Sequence, residues 1–183
     1  MIAISLLAIL MLLGMPAFSS YLQNAKTRSA AENFYAGVQM ARAEAVRRNA
    51  SVQIVLTTDS PDVTAANTTN LSATASNWLI RVQDPATLLY AFIEGKAGFQ
   101  GSGQAAGSTP QVQVAGSVAS VTFDGFGRAD SAATFDFSNP TGGACAPAGP
   151  MRCLRVAVSL GGQGRMCDPA VDPVASPGDT RAC

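Results

Sequence analysis

The sequence contains no histidine, and only 13% of its 183 residues are charged. Histidine is the commonest general base and a frequent metal ligand, so its absence removes the usual centre of a hydrolytic or metal-dependent site. The carboxylates are scattered, and no close pair suggests acid–base chemistry. The sequence therefore predicts a protein that is not an enzyme and that uses no metal or cofactor.

The chain also lacks an excess of either charge, because its 12 basic and 12 acidic residues cancel. Residues 1–50 hold five basic and two acidic side chains, residues 51–150 hold three and seven, and residues 151–183 hold four and three. No segment is basic enough for nucleic-acid binding to follow from charge alone. With 48% hydrophobic residues, the composition suits one membrane-associated module with a single folded domain.

The four cysteines, Cys145, Cys153, Cys167 and Cys183, all lie near the C-terminus. An even, clustered set without histidine favours two disulfides in an oxidising compartment such as the periplasm. A four-thiolate zinc site is the alternative, but neither pair has the close spacing typical of such sites. The first two cysteines bracket a short proline-containing loop and the last two bracket a tail with three prolines, yet all three pairings stay open.

An uncharged apolar segment opens the chain, from Met1 to Phe18. As a helix it would span about 27 Å, close to the ~30 Å hydrocarbon core of a bilayer. Residues 1–19 are therefore predicted to form a membrane or filament-core helix, kinked at Gly14 and Pro16. A cleaved secretory signal peptide is the alternative, although no basic residue precedes the apolar segment.

Helical periodicity continues beyond the apolar segment, over residues 20–50. The apolar residues that recur at steps of three or four are Ala30, Phe34, Val38, Ala41 and Ala45. Arg28 with Glu32, and Glu44 with Arg48, are spaced to pair along a helix. This pattern predicts an amphipathic helix that continues the first one and packs on a folded head.

Residues 51–183 show short β-branched segments separated by turn residues, which is typical of an antiparallel sandwich or a strongly curved sheet. The predicted strands are Val52–Thr58, Asn77–Gln83, Leu88–Glu94, Gln111–Val114, Ser117–Phe123, Ala133–Phe137 and Leu154–Leu160. Two polar stretches, Asp59–Ser76 and Ala97–Pro110, are predicted to be exposed, mobile loops. The fold class is therefore α+β, with a long N-terminal helix packed on a β-rich head.

Several local motifs resemble the GspH/FimT group of minor pilins and pseudopilins. They are Leu12-Leu13-Gly14-Met15-Pro16-Ala17-Phe18, Tyr21-Leu22-Gln23-Asn24, Arg28-Ser29-Ala30-Ala31-Glu32 and Ala41-Arg42-Ala43-Glu44-Ala45-Val46-Arg47-Arg48-Asn49, together with a cysteine-bounded tail that contains Arg165-Met166-Cys167-Asp168-Pro169 and Asp179-Thr180-Arg181-Ala182-Cys183. The resemblance covers residues 1–50 and 161–183 and is weak between them. It implies a single-pass inner-membrane subunit with a periplasmic head, which primes or caps a type IV pilus or a type II secretion pseudopilus. The implied partners are other major and minor pilins or pseudopilins.

The chain departs from the family at its start, where the leader glycine and the phenylalanine and glutamate of the mature helix are missing. We therefore expect Met1 to fall several residues inside the mature helix of the family.

The resemblance also raises DNA binding, because some FimT members are thought to capture DNA through a Gly-Arg-x-Arg motif. Here the matching residues are Gly164-Arg165-Met166-Cys167, so only the first arginine is present. Arg181 would lie near Arg165 if Cys167 and Cys183 are bonded, and Arg152 and Arg155 are further candidates for non-specific phosphate contacts. The alternative is that these arginines are ordinary surface charges, partly neutralised by nearby aspartates.

Overall fold

The computed structural model describes the backbone of residues 2–97 and 112–183, and the side chains of residues 19–97 and 112–183. It is an α+β fold, as predicted, in which one long helix precedes two β-sheets. The elements are α1 Ile2–Arg48, β1 Val52–Thr57, α2 Ala65–Thr68, β2 Asn77–Gln83, β3 Tyr90–Lys96, β4 Gln113–Gly116, β5 Ser120–Phe123, β6 Ala133–Ser138, β7 Leu154–Val158 and β8 Gly164–Cys167, with a 3-10 turn at Pro140–Gly142 between β6 and β7.

Helix α1 buries one narrow stripe against the head. The residues of this stripe, spaced three or four apart, are Thr27, Ala31, Phe34, Val38, Ala41 and Ala45, and each is at most 1% exposed. Ala31 lies at the centre of the stripe, where the sequence predicted Ala30, and Ala30 is only partly buried beside it. The one polar member, Thr27, donates its hydroxyl to the carbonyl of Gln23 within the same helix, so it can be buried without an unpaired group.

The helix ends at a C-terminal cap formed by Asn49 and Ala50. Asn49 adopts the left-handed conformation, with φ of 47°. The N–H of Ala50 donates to the carbonyl of Ala45 at 3.2 Å, and the N–H of Asn49 donates to the carbonyl of Val46 at 3.3 Å. These two bonds form a Schellman motif, which satisfies carbonyls that the last helical turn would leave unpaired and turns the chain into β1.

Two antiparallel sheets of four strands pack against α1. The strand order is β3-β2-β1-β5 in the first sheet and β4-β6-β7-β8 in the second. In the first sheet, Val52 of β1 lies opposite both Val82 of β2 and Phe123 of β5. One apolar face of each sheet contributes to a single core that also contains the buried stripe of α1.

Aromatic side chains join the helix to both sheets. The Phe34 ring lies 6.2 Å from the ring of Trp78 in the first sheet, and 4.7 and 5.6 Å from those of Phe135 and Phe137 in the second. Gly37, one turn further along α1, leaves space for Trp78, since a Cβ there would lie 2.7 Å from the indole Cη2. The helix is therefore part of the core of the head and not an appendage to it.

The stretch Asp59–Ser76, predicted to be an exposed, mobile loop, is exposed at many residues but also contains a short helix and buried alanines. It forms α2 and covers the outer face of the first sheet, where buried Ala65 packs with Val55 and Leu79. Arg81 is only 7% exposed beneath this layer, and its guanidinium donates to the side chain of Gln53 and the carbonyl of Ala66. Small alanines within a polar stretch give a weak sequence signal, yet they are enough to cover a flat sheet face. The other predicted loop, Ala97–Pro110, lies almost entirely outside the described residues.

The strand bounds also differ from the prediction in places. β3 begins two residues later than Leu88, β5 begins at Ser120 instead of Ser117, and β7 ends at Val158 instead of Leu160. Gln111 lies outside the described residues, and the strand predicted there is β4. The last strand, β8, was not predicted, because Gly164–Cys167 contains no β-branched or aromatic residue.

The predicted membrane segment, residues 1–18, has no described side chains. The bounds of α1 include Gly14 and Pro16, and the kink expected at these residues stays a prediction. Among the residues whose side chains are described, no helix is both long and apolar enough to cross a membrane.

Candidate functional site

The lower end of the head, from which residues 1–18 extend, is formed by α1 residues 19–28 and the loop of residues 139–153 between β6 and β7. We call this region the foot. Cys145 and Cys153 form a disulfide within the loop, with their Cα atoms 5.5 Å apart. The side-chain oxygen Oδ1 of Asn24 accepts the backbone N–H of Arg152 at 2.7 Å. The loop is therefore closed on itself and attached to the helix that carries the apolar segment.

The contact between helix and loop is closely packed. Met151 is 1% exposed, and a Cβ on Gly142 would overlap both the Met151 sulfur and Oε1 of Gln23, so a larger residue there would have to displace these two side chains. The buried Oε1 of Gln23 and both side-chain polar atoms of Asn139 have no hydrogen-bond partner among the described residues. Buried polar groups usually have a partner, and one left unpaired costs about 1–3 kcal/mol. These side-chain atoms of the foot could therefore still donate or accept hydrogen bonds.

The second disulfide joins Cys167, the last residue of β8, to the C-terminal Cys183, with Cα atoms 5.2 Å apart. With the Cys145–Cys153 bond, this is one of the three pairings that the sequence left open. The tail between them returns to the sheet, because the N–H of Asp168 donates to the carbonyl of Arg181 at 2.7 Å and Ala182 is buried. The tail is therefore tied down by a covalent bond and by pairing to the end of β8.

Three aspartates shape the tail by the same local bond. Oδ1 of Asp168, of Asp172 and of Asp179 each accepts the backbone N–H of the residue two positions later, at 2.9, 2.8 and 2.9 Å. Such turns suit a segment whose three prolines prevent regular strand pairing.

The four arginines proposed for DNA binding do not form one open cluster. Arg155 of β7 makes two bonds, of 2.6 and 2.9 Å, to the carboxylate of Asp136 on the adjacent strand β6, and this partner raises the pKa of Arg155. Arg181 pairs similarly with Asp179, at 3.1 and 2.8 Å. The side-chain bond from Arg181, with a backbone bond from the same residue, lowers the pKa of Asp179 to about 2.

Arg165 of β8 has a different partner. One of its terminal nitrogens donates to the carbonyl of Thr180 at 3.2 Å and to that of Ala182 at 2.5 Å. Arg165 and the backbone of Arg181 are therefore close, as expected for a Cys167–Cys183 bond, but Arg165 holds the tail in place and Arg181 faces Asp179. Three of the four candidates thus have structural partners.

Arg152 is the exception among the four. It is exposed, and its guanidinium has no ion-pair or hydrogen-bond partner among the described residues. Its position at the foot depends on Asn24, 128 residues earlier in the chain. The sequence identified both residues, one as a candidate cation and one within the Tyr21–Asn24 motif, but gave no signal that they meet.

The part of the chain that the structure describes contains no group of three or more histidine, cysteine or carboxylate side chains that could hold a metal ion. The foot and tail instead contain a loop attached to α1, a tail held by a disulfide, and a few charged side chains.

Comparison with known proteins identifies a family and two proteins of similar fold. The family profile described as type II transport protein GspH matches residues 30–162. The fold is similar to the type IV minor pilin FimU of Pseudomonas aeruginosa, with a TM-score of 0.56 and 18% identity, over 80% of this chain and 91% of that one. It is also similar to the minor pseudopilin EpsH from the type 2 secretion system of Vibrio cholerae, with a TM-score of 0.52 and 10% identity, over 80% of this chain and 99% of that one. No curated protein sequence matches the chain significantly.

Proposed function

Because the chain belongs to the GspH family of minor pilins and pseudopilins, we propose that it primes or caps a type IV pilus or a type II secretion pseudopilus. In this proposal residues 1–18 anchor the subunit in the inner membrane until assembly, and the head lies in the periplasm. Its partners are other major and minor pilins or pseudopilins. Relatives of similar fold come from both kinds of system, so the proposal covers both.

One observation carries this proposal. Helix α1 extends from Ile2 to Arg48, and its second half lies in the core of the head between two sheets. A pull on the apolar segment is therefore transmitted directly to the folded head, as a subunit needs when it moves from membrane to filament. The apolar segment can exchange lipid for neighbouring helices at little cost, since both surroundings are apolar.

Incorporation into a filament tests the proposal. We expect the full chain, expressed with the pilins or pseudopilins of its own organism, to copurify with filaments sheared from the cell. Leu10→Lys places a charge in the middle of the apolar segment, which costs about 2.5–3.5 kcal/mol for membrane insertion. This variant should be lost from the filament fraction, whereas Met40→Lys, on an exposed part of the same helix, should be retained. Absence of the unmodified chain from both membrane and filament fractions would refute the proposal.

Deletion of the gene separates the two systems. Loss of surface pili indicates pilus membership, and loss of secreted proteins with pili intact indicates the secretion system.

DNA binding is the alternative raised by the sequence, and it has less support. A phosphate contact needs available guanidinium donors, and those of Arg155 and Arg181 already bind carboxylates. The test is a gel shift of the full chain in mild detergent at low salt, with Arg152→Ala and Arg165→Ala. Retardation that falls with added salt and with these substitutions supports DNA binding, and no retardation at low salt excludes it.

A further inference from the structure

We propose that the foot binds the headgroups of anionic phospholipids through Arg152 while the subunit stands in the membrane. We call this proposed lipid-binding surface the collar. This inference rests on the proposed function, because it requires residues 1–18 to lie in the bilayer. It concerns a different part of the chain from the anchor itself, namely the loop closed by Cys145 and Cys153.

Distance along the helix places the collar at the membrane surface. At about 1.5 Å per residue, Asn24 lies about 9 Å beyond Phe18, the last residue of the apolar segment. The polar headgroup layer on each side of a bilayer is about 5–8 Å thick. The backbone of Arg152, which is hydrogen-bonded to Asn24, therefore lies near the outer boundary of the headgroup layer. The long arginine side chain can extend from there into the layer.

The order of residues along this helix face is that of a membrane interface. Tyr21, Asn24 and Arg28 are three and four residues apart, so they share one face. Tyr21 is 69% exposed directly above the apolar segment, where tyrosine is enriched in membrane proteins. Above it lie Arg152 and Arg28, the latter paired with Glu32 at 2.7 Å. An apolar segment is thus followed by an aromatic ring and then by cations.

The structure holds Arg152 in place without using its charge. The disulfide closes the loop, Met151 is buried beside it, and the Asn24 side chain binds the backbone of Arg152. The guanidinium itself has no partner among the described residues, unlike those of Arg155, Arg165 and Arg181. A cation that is positioned in advance binds an anion with less loss of conformational entropy. The phosphate of an anionic lipid is the anion that this location offers.

The expected size of the effect follows from membrane electrostatics. Each lysine or arginine near an anionic surface strengthens binding by about fivefold. Substitution of Arg152 should therefore weaken the affinity for anionic lipid by about that factor, and substitution of an arginine far from the foot should not.

The experiment uses the full chain in a neutral detergent. Short-chain phosphatidylglycerol or phosphatidylcholine is added in increasing amounts, and bound lipid is counted by native mass spectrometry. We expect at least fivefold tighter binding of phosphatidylglycerol, reduced about fivefold by Arg152→Gln. Asn24→Ala keeps every charge but removes the side-chain bond to the backbone of Arg152, so it should also weaken this binding. Arg128→Gln, an exposed ion-paired arginine in the turn that follows β5, is the matched control and should bind as the unmodified chain does.

Two outcomes overturn the collar. One is equal affinity for both lipids, and the other is a phosphatidylglycerol affinity that Arg152→Gln leaves unchanged. Alkaline carbonate extraction of cell membranes tests the anchor separately. If the chain resists extraction but does not distinguish the lipids, only the collar is wrong; if carbonate removes the chain, the membrane anchor and the collar both fail.

Discussion

Replacing Gly37 by alanine sets two physical effects against each other. In a helix interior, alanine is favoured over glycine by about 0.5–1 kcal/mol, so helix propensity alone predicts a more stable protein. The structure predicts the opposite sign, because the new Cβ would lie 2.7 Å from Cη2 and 2.9 Å from Cζ3 of Trp78. Trp78 is 5% exposed, and its ring packs at 86° against that of Phe34, so it cannot move away freely.

Overpacking a core typically costs about 1–3 kcal/mol. Subtracting the gain in helix propensity leaves a loss of up to about 2.5 kcal/mol, and we expect Gly37→Ala to lower the free energy of unfolding by about 1 kcal/mol. The measurement is urea unfolding of the full chain in mild detergent, followed by circular dichroism and by the fluorescence of Trp78, the sole tryptophan. Ser29→Ala, on the exposed face of the same helix, is the control and should be neutral or slightly stabilising.

A second background makes the test decisive. Trp78→Phe removes the ring atoms that the new methyl group would meet, so in that background Gly37→Ala should become neutral or stabilising. A substitution that has the same sign and size in both backgrounds would refute the packing argument.

Three further predictions follow from the described contacts. Gly162 has φ of 74° and packs against the carbonyl of Gly127. Gly162→Ala should therefore lower the free energy of unfolding by more than about 2 kcal/mol in the same urea assay, and a smaller loss would contradict that contact. Replacing Cys167 and Cys183 together by serine should cost about 3 kcal/mol and open the tail to limited proteolysis, whereas an unchanged digestion pattern would show that the tail is held without the bond. Hydrogen bonds from two arginines, Arg47 and Arg48, lower the pKa of Glu44 from 4.5 to about 2, so its contribution to stability is present above pH 4.5 and is lost as the pH falls through 2. A carboxyl titration by NMR checks this, and a value near 4.5 would contradict the ion pairs.

The helix and several strands could be predicted because their signals are local. The three-and-four spacing of Phe34, Val38 and Ala41 specifies a helix with one buried face, and the β-branched segment at Val52 specifies a strand. Asn77–Gln83 has the same bounds in the sequence prediction and in the structure. Local patterns of this kind survive folding because the tertiary contacts reinforce them.

The features that the sequence did not predict depend on distant partners. β8 is a strand because it pairs with β7 and because Gly164 packs beside Tyr35 of α1, and neither contact has a local pattern. The helix α2 is stabilised because Ala65 packs on the outer face of the first sheet.

The candidate site shows the same division. The sequence identified the cysteines and the arginines by residue type, but their roles depend on what each one meets. Asp136 faces Arg155 only because β6 pairs with β7 in that register, and Asn24 meets Arg152 only through the tertiary fold. Residue type therefore suggested a charged surface, and the contacts show that most of those charges hold the head together.

Helix α1 is both the proposed anchor of the subunit and part of the core of its head. Intact mass spectrometry of the protein recovered from carbonate-washed membranes of its own host tests this most directly. We predict a mass that includes the whole apolar segment, residues 1–18, in the membrane pellet. A soluble periplasmic form whose mass shows cleavage near Ala17 or Ser19 would contradict the claim and identify the segment as a signal peptide.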